Sequence, residues 1–207
     1  MPLPLPGWLL RMRLLEPMQC ATLGSVEAAC MAHIHGWAIN LGGGFHHATH
    51  SSGGGFCIYP DITFITRYME EWHGINRFMI VDLDAHQGNG HERDHQDKDK
   101  YHILDAYNHR IYPGDELAKE FISTDIDASR FNSDERYLRK VREELENAME
   151  TFKPKFLIYN AGTDCMRGDP LGRLDISEQG IVDRDEMVFE IFLRRKVPVV
   201  MILSGGY

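Results

Sequence analysis

Two adjacent imidazoles, His46 and His47, lie in a stretch from residue 40 to residue 57 that also holds six glycines. Further along, Asp84 and His86 stand two apart, Asp164 follows an apolar run, and Tyr207 follows Ser204, Gly205 and Gly206. Asp84, His86 and Asp164 would offer an oxygen, a nitrogen and an oxygen to one metal ion, and three protein ligands with an open position is the arrangement of a catalytic zinc. Side chains two apart on extended chain share a face, so the Asp-x-His spacing lets both reach one centre. His46 and His47 could then serve as general base and general acid around a water activated by that metal. The glycines let the backbone pass close to a substrate. Taken singly, each feature has an ordinary reading: a solvated histidine, an incidental pair in a loop, a turn-capping aspartate, a rim tyrosine.

What sets them apart is where the surrounding elements place them. Short apolar β-type runs, WAINL (37–41), FMIVDL (78–83), YHILDAY (101–107), FLIYNAG (156–162) and VPVVMIL (197–203), alternate with helical patterns. Helices are predicted over about 19–35, with Gly36 as stop, and over 61–73, with Asp61 as N-cap and Gly74 as stop. Two more are predicted over 133–152, where Asn132 and Glu135 have capping-box spacing, and over about 177–195. This alternation predicts a parallel sheet covered by helices on both faces. The histidine pair, Asp84 with His86, Asp164, and Tyr207 each follow the carboxyl end of one such strand, the edge where open α/β sheets bind ligands. Four separate accidents would seldom converge there.

Composition narrows the function classes. A chain of 207 residues, 43% hydrophobic, can bury a sizeable core as one domain. A net charge of −9 argues against general affinity for a nucleic-acid backbone. The four cysteines form no CxxC pair, which suggests neither a disulfide framework nor a thiolate zinc site. The opening run is broken by proline and arginine and is too short for a signal peptide, and no stretch approaches membrane-spanning length. A soluble intracellular protein, in the nucleus, the cytoplasm or both, is expected.

The motifs GGGFHH, Asp82 to Gly90, Asn160 to Asp164, and Ser204 to Tyr207 resemble those of the zinc-dependent histone deacetylases. The run Ala85 to Asp94, with Tyr107-Asn108 and Ile111 to Asp115 beyond it, is most similar to class IV, the histone deacetylase eleven type. The resemblance implies an arginase/deacetylase fold, a three-layer α/β/α sandwich with a mostly parallel sheet, in one catalytic domain over residues 1–207. It implies hydrolysis of N6-acyl-lysine amides in proteins or peptides, histone tails among them, with one zinc per chain held by Asp84, His86 and Asp164. Protein complexes would be in keeping with it; direct contact with nucleic acid or membrane is not expected. His47 matches the base, His46 its electrostatic support, and Tyr207 the donor to the substrate carbonyl and its oxyanion. Gly55, Phe56 and Leu171 match residues lining the acyl-lysine channel, and Asp82 matches the partner of His46. Asn89 stands where class I enzymes place an aspartate partner for His47, which implies weaker basicity there. A structural potassium ion near the Asp82 to His86 segment and Asp105 is also implied.

Class IV members also act on long-chain acyl-lysine, which here would need room beside the metal from the small residues Ser51 to Gly55. An arginase-like two-manganese enzyme would need a carboxylate at position 88, which is glycine. An acetylpolyamine hydrolase, or a family member that keeps the fold without the catalysis, would show the same motifs. Family members usually carry about a hundred residues before the point matching Leu9 and a segment after the tyrosine, so a truncated, weakly active chain is expected. HERDHQDKDK (91–100) reads as a solvated helix end and turn, and the histidines other than His46, His47 and His86 have no assigned role.

Overall fold

A computed structural model describes residues 5 to 207. All five apolar runs become strands: β1 Trp37–Asn40, β2 Phe78–Asp82, β3 Tyr101–Tyr107, β5 Phe156–Asn160 and β6 Val199–Ile202. A sixth, β4 Thr124–Asp127, was not expected; its Thr-Asp-Ile-Asp sequence buries only Ile126. The order across the sheet is β1-β6-β5-β2-β3-β4, with every neighbouring pair parallel. In β2, β5 and β6 each residue is buried, the pattern of a sheet covered on both faces.

Among the described residues there are seven α-helices, two before the first strand and five between strands: α1 Gly7–Leu10, α2 Glu16–His35, α3 Asp61–His73, α4 Asn89–Asp94, α5 Glu116–Lys119, α6 Asp134–Thr151 and α7 Glu178–Arg194. A π-helical turn, Arg11–Leu15, joins α1 to α2, so the helical stretch starts well before the predicted residue 19. Gly36 and Gly74 close α2 and α3 in left-handed conformation, as predicted. Two predicted caps move. Ser133, not Asn132, caps α6, accepting from the Arg136 N–H. Asp61 is the first residue of α3 rather than its cap, and its carboxylate faces elsewhere.

Alternate residues of the strands feed two cores. Met79, Val81, Leu157, Tyr159, Val199 and Met201 pack with Tyr137, Val141 and Leu145 of α6 and Val188, Ile191 and Phe192 of α7. Phe78, Ile80, Phe156, Ile158, Val200 and Ile202 pack with Ala28, Ala29 and Ala32 of α2 and Ile62, Ile65 and Met69 of α3. The result is the α/β/α sandwich. The stretch HERDHQDKDK departs from its sequence reading, because His91, Glu92 and His95 are buried where α4 packs inward. No helix among the described residues is long and apolar enough to cross a membrane.

Candidate active site

Strands β2 and β5 lie side by side with Asp82 opposite Asn160, so the segments that follow them leave the sheet together. Asp82 is fully buried and its oxygens are crowded with donors. His46 Nδ1 and His91 Nε2 each lie 2.9 Å from Oδ2, while Asn160 Nδ2 (2.8 Å) and the Asp84 N–H (3.1 Å) donate to Oδ1. Burial alone would raise its pKa, but the His46 and His91 contacts hold the carboxyl well below the usual range.

Beyond Asp82 the chain turns, and Asp84, His86 and Asp164 meet with one donor atom of each within 4.8 Å of the others. Their remaining oxygens are held by backbone: Asp84 Oδ2 accepts from the Gly205 N–H at 2.8 Å and Asp164 Oδ1 from the Ala85 N–H at 2.7 Å. His86 Nδ1 lies 2.7 Å from Asp164 Oδ2 and 3.1 Å from Asp84 Oδ1. Behind them Arg184 of α7, fully buried, donates to the carbonyls of Leu83 (3.1 Å), Gly162 (2.7 Å) and Ala161 (3.3 Å). It ties together the two strand-end loops that carry the aspartates.

The histidine pair is positioned by α3. Asp61 accepts from the N–H groups of Gly44 (2.8 Å) and Phe45 (2.9 Å) and from Ser25 Oγ (2.7 Å), pinning the glycine loop to the start of that helix. Gly44 has φ +81, and a Cβ there would press on the Ser204 backbone, so only glycine fits. The His46 and His47 rings then lie 4.1 Å apart between centroids. His46 is raised to about 10: burial opposes the charged form, but Asp84 and Asp82 outweigh it. His47 is lowered to about 3 by burial and by the His46 charge. The two neighbouring imidazoles are therefore pushed in opposite directions, His46 towards its charged form and His47 towards its neutral one.

The neutral form of His47 has a fixed tautomer. Asn89 Nδ2 donates to Asp115 Oδ2 at 3.1 Å, so its Oδ1 faces His47 Nδ1 at 2.9 Å and can only accept. His47 thus carries its proton on Nδ1 and leaves Nε2 free. Arg93 grips Asp115 through Nε (2.7 Å) and a terminal nitrogen (2.5 Å). The side-chain amide of Gln87 pairs with both the N–H and the carbonyl of the Asp115 backbone, at 2.9 and 3.0 Å.

A cavity of about 480 Å³ opens over these groups, walled by His47, Gly55, Phe56, His86, Tyr112 and Leu171, with Tyr207 on its side. At Gly55, φ is +48 and a Cβ would collide with the His47 ring. Tyr207 is raised to about 12 by burial and by the charges of Asp84 and Asp164, so its hydroxyl keeps its proton and can donate. All eleven residues named from the sequence, Asp82, Asp84, His86, Asp164, His46, His47, Asn89, Gly55, Phe56, Leu171 and Tyr207, are gathered here.

The histone deacetylase domain model matches residues 12–207. The chain belongs to the histone deacetylase domain family. Histone deacetylase 2 of Arabidopsis thaliana is 47% identical over 202 residues, 98% of this chain and 52% of that protein. Histone deacetylase 1 of Homo sapiens is 27% identical over 204 residues, 94% of this chain and 41% of that protein. A crystal structure of an HDAC homolog complexed with SAHA superposes with a TM-score of 0.80 at 26% identity, over 92% of this chain and 53% of that one. The chain spans about half the length of the histone deacetylases it matches.

Several residues of this deacetylase-family site were missed in the sequence. His91 bonds Asp82 from α4, and a Cβ at Gly88 would collide with its Nε2, so the bridging carboxylate of a two-metal centre has no room at position 88. Asp82, His91 and Asp105 form a second buried group with donor atoms within 4.8 Å. Arg93 and Asp115 lie in the runs quoted for the resemblance but were given no role, and Arg184 was not singled out; each is a charged residue whose role depends on a contact far along the chain.

Proposed function

We propose that the protein is a single-zinc hydrolase of N6-acyl-lysine amides in proteins, histone tails among them, acting in nucleus or cytoplasm. The observation that carries this is the convergence of Asp84, His86 and Asp164 beneath a channel whose wall includes His47, its Nδ1 held by the Asn89 oxygen and its Nε2 left free. Their donor set suits zinc, and the backbone N–H groups on the far oxygens of both aspartates leave one oxygen of each facing the shared centre. Bound there, zinc would supply Lewis acidity towards the amide carbonyl and water.

The chain's own groups account for the rest. His47 Nε2 takes the proton of the attacking water and returns it to the departing lysine nitrogen. His46, bonded to Asp82 and 3.7 Å from Asp84, is pushed towards its charged form and in that form favours negative charge on the substrate oxygen. The Tyr207 hydroxyl donates to that oxygen as it becomes anionic. Phe56, Leu171 and Tyr112 enclose the lysine methylenes and limit water. The potassium ion implied by the family resemblance would lie by Asp82 and Asp105, whose buried Oδ1 lacks a hydrogen-bond partner.

A long-chain acyl preference is favoured by a second cavity of about 200 Å³ that shares His47, Gly55, Phe56 and Tyr207 with the channel and extends to Met18 and Cys57. Of the Ser51 to Gly55 run only Gly55 lines it, since Ser51 and Ser52 are held in a turn by Thr49.

Asp164→Ala is expected to abolish zinc uptake and acyl-lysine hydrolysis together. Elemental analysis of the natural protein and this variant, with acetyl- and myristoyl-lysine peptides and acetylpolyamines as competing substrates, tests it. Unchanged zinc in the variant, two metals per chain, or faster polyamine hydrolysis would overturn the proposal.

A further inference from the structure

The mouth of the channel carries two guanidiniums, Arg110 and Arg173, both lining the same cavity as His47 and Tyr207. Among the described residues neither forms an ion pair, as is also true of Arg13, Arg67, Arg77 and Arg136, but Arg110 and Arg173 alone of these line the cavity. In a chain of net charge −9, two unpaired arginines at one opening are not a consequence of scarce carboxylates. Asp169, four residues before Arg173, is spent on backbone: its oxygens accept from the N–H groups of Leu171, Gly172 and Tyr207, each at 2.9 Å.

Both arginines are also mounted on one buried side chain. Asn108 donates from Nδ2 to the Gly172 carbonyl at 3.1 Å, and its Oδ1 accepts from the Arg110 N–H at 3.1 Å. Its own N–H donates to the Ala85 carbonyl, fixing the mount to the loop between Asp84 and His86. Arg173 is held at φ +54, a left-handed conformation that non-glycine residues rarely adopt, with Nε turned to the Pro170 carbonyl. Strain of this kind persists where surrounding contacts over-determine it, and it clusters at functional positions.

We propose that Arg110 and Arg173 form a carboxylate-reading subsite that selects acyl-lysines flanked by Asp or Glu. The clamp's use in catalysis rests on the hydrolase proposed above. With the acyl amide at the metal ligands, the lysine methylenes fill the channel, and the peptide backbone with its neighbouring side chains lies at the mouth. Guanidinium is the side chain suited to holding such a carboxylate in a two-point contact. A lysine-rich tail would instead meet like charge there, so the subsite points to acidic segments rather than the most basic stretches of histones.

The test is fluorescence anisotropy of the zinc-loaded protein with labelled acyl-lysine peptides flanked by Asp, Ala or Lys, together with turnover of the same peptides. The Asp-flanked peptide should bind about tenfold tighter than the Lys-flanked one, in line with two exposed ion pairs, and the gap should shrink as salt rises. Arg110→Gln with Arg173→Gln should remove the gap, while Arg136→Gln, remote on α6, should not. A succinyl-lysine peptide with Ala flanks separates the other carboxylate source; if it alone gains from the arginines, the flank assignment is overturned. Equal binding of the three peptides, no binding of any, or a preference surviving in the double variant would also overturn it. Hydrolysis without charge preference would sink the clamp and leave the hydrolase; charge-selective binding without hydrolysis would do the reverse.

Discussion

His47 is held by a file of hydrogen bonds that runs through the Asn89 amide and the Asp115 carboxylate to the Arg93 guanidinium. An amide can face either way, and only the Asp115 end of this file decides that oxygen, not nitrogen, meets the imidazole. Asp115→Ala is therefore expected to leave zinc content and KM near those of the natural protein while kcat falls about tenfold. That is a part of the ~100- to 10,000-fold that general-base assistance contributes and that His47→Ala should forfeit. His46→Ala should cost less than His47→Ala. Wild-type kcat in Asp115→Ala, or a larger loss in His46→Ala, would show the base to be wrongly assigned. The positions of Asp84, His86, Asp164 and Tyr207 were legible because each lies within about five residues of a strand's carboxyl end, where position alone narrows the role. Arg184 was not: in a polar helix it reads as solvent-facing, and only its bond to the carbonyl of Leu83, 101 residues away, reveals the clamp. His91 and His95 stand four apart, the spacing of one helix face, and that was the available sign that HERDHQDKDK turns inward.

At the scale of elements, the site depends on how α3 and the glycine loop are joined. Asp61 sits fully buried at the start of α3 and satisfies two backbone N–H groups of the loop and the Ser25 hydroxyl of α2. Asp61→Ala strands the buried N–H groups of Gly44, Phe45 and Ile62 and removes the Ser25 acceptor, an expected loss of about 2–4 kcal/mol. Denaturant unfolding should show it as a lower midpoint with an unchanged slope. Because the same contacts aim His46 and His47, turnover should fall even at temperatures where the variant is fully folded. A midpoint within about 0.5 kcal/mol of the natural protein would mean that water replaces the carboxylate there. The five apolar strands and four long helices were legible from periodicity, since burial on both sheet faces demands unbroken apolar runs. β4 was not, because an edge strand reading Thr-Asp-Ile-Asp has one buried residue and two carboxylates. The caps moved by a residue for a similar reason: Asn132, Ser133 and Asp61 all have cap chemistry, and tertiary partners decide which is used.

For the molecule as a whole, acid lability has two sources, carboxyls held below their usual range such as Asp82 and imidazoles whose charged form burial disfavours, and the second can be isolated. His95 is 1% exposed at the meeting of α4, α3 and β3: Nδ1 bonds the His91 carbonyl at 2.7 Å, Nε2 pairs with Thr66 at 2.8 Å, and the ring meets Tyr101 edge-on at 4.5 Å. Burial lowers its pKa to about 3. A histidine whose folded pKa lies below its unfolded value of about 6.5 contributes stability that is present above pH 6.5 and lost as pH falls towards 3. The linkage is about 1.4 kcal/mol per pH unit, hence about 2 kcal/mol between pH 6.5 and 5. Asp61, Asp105 and Glu92, raised by burial, act in the opposite sense and favour the fold as pH falls, so the total curve mixes both signs. A comparison with His95→Gln isolates the one group, because glutamine keeps hydrogen-bonding capacity and takes up no proton. From pH 7 to pH 5 the Tm of the natural protein should drop further than that of the variant, by about 4–8 °C for a chain of this size. Parallel Tm curves for the two proteins would mean that His95 is protonated in the folded state at pH 5, with the Thr66 and His91 oxygens both accepting from it.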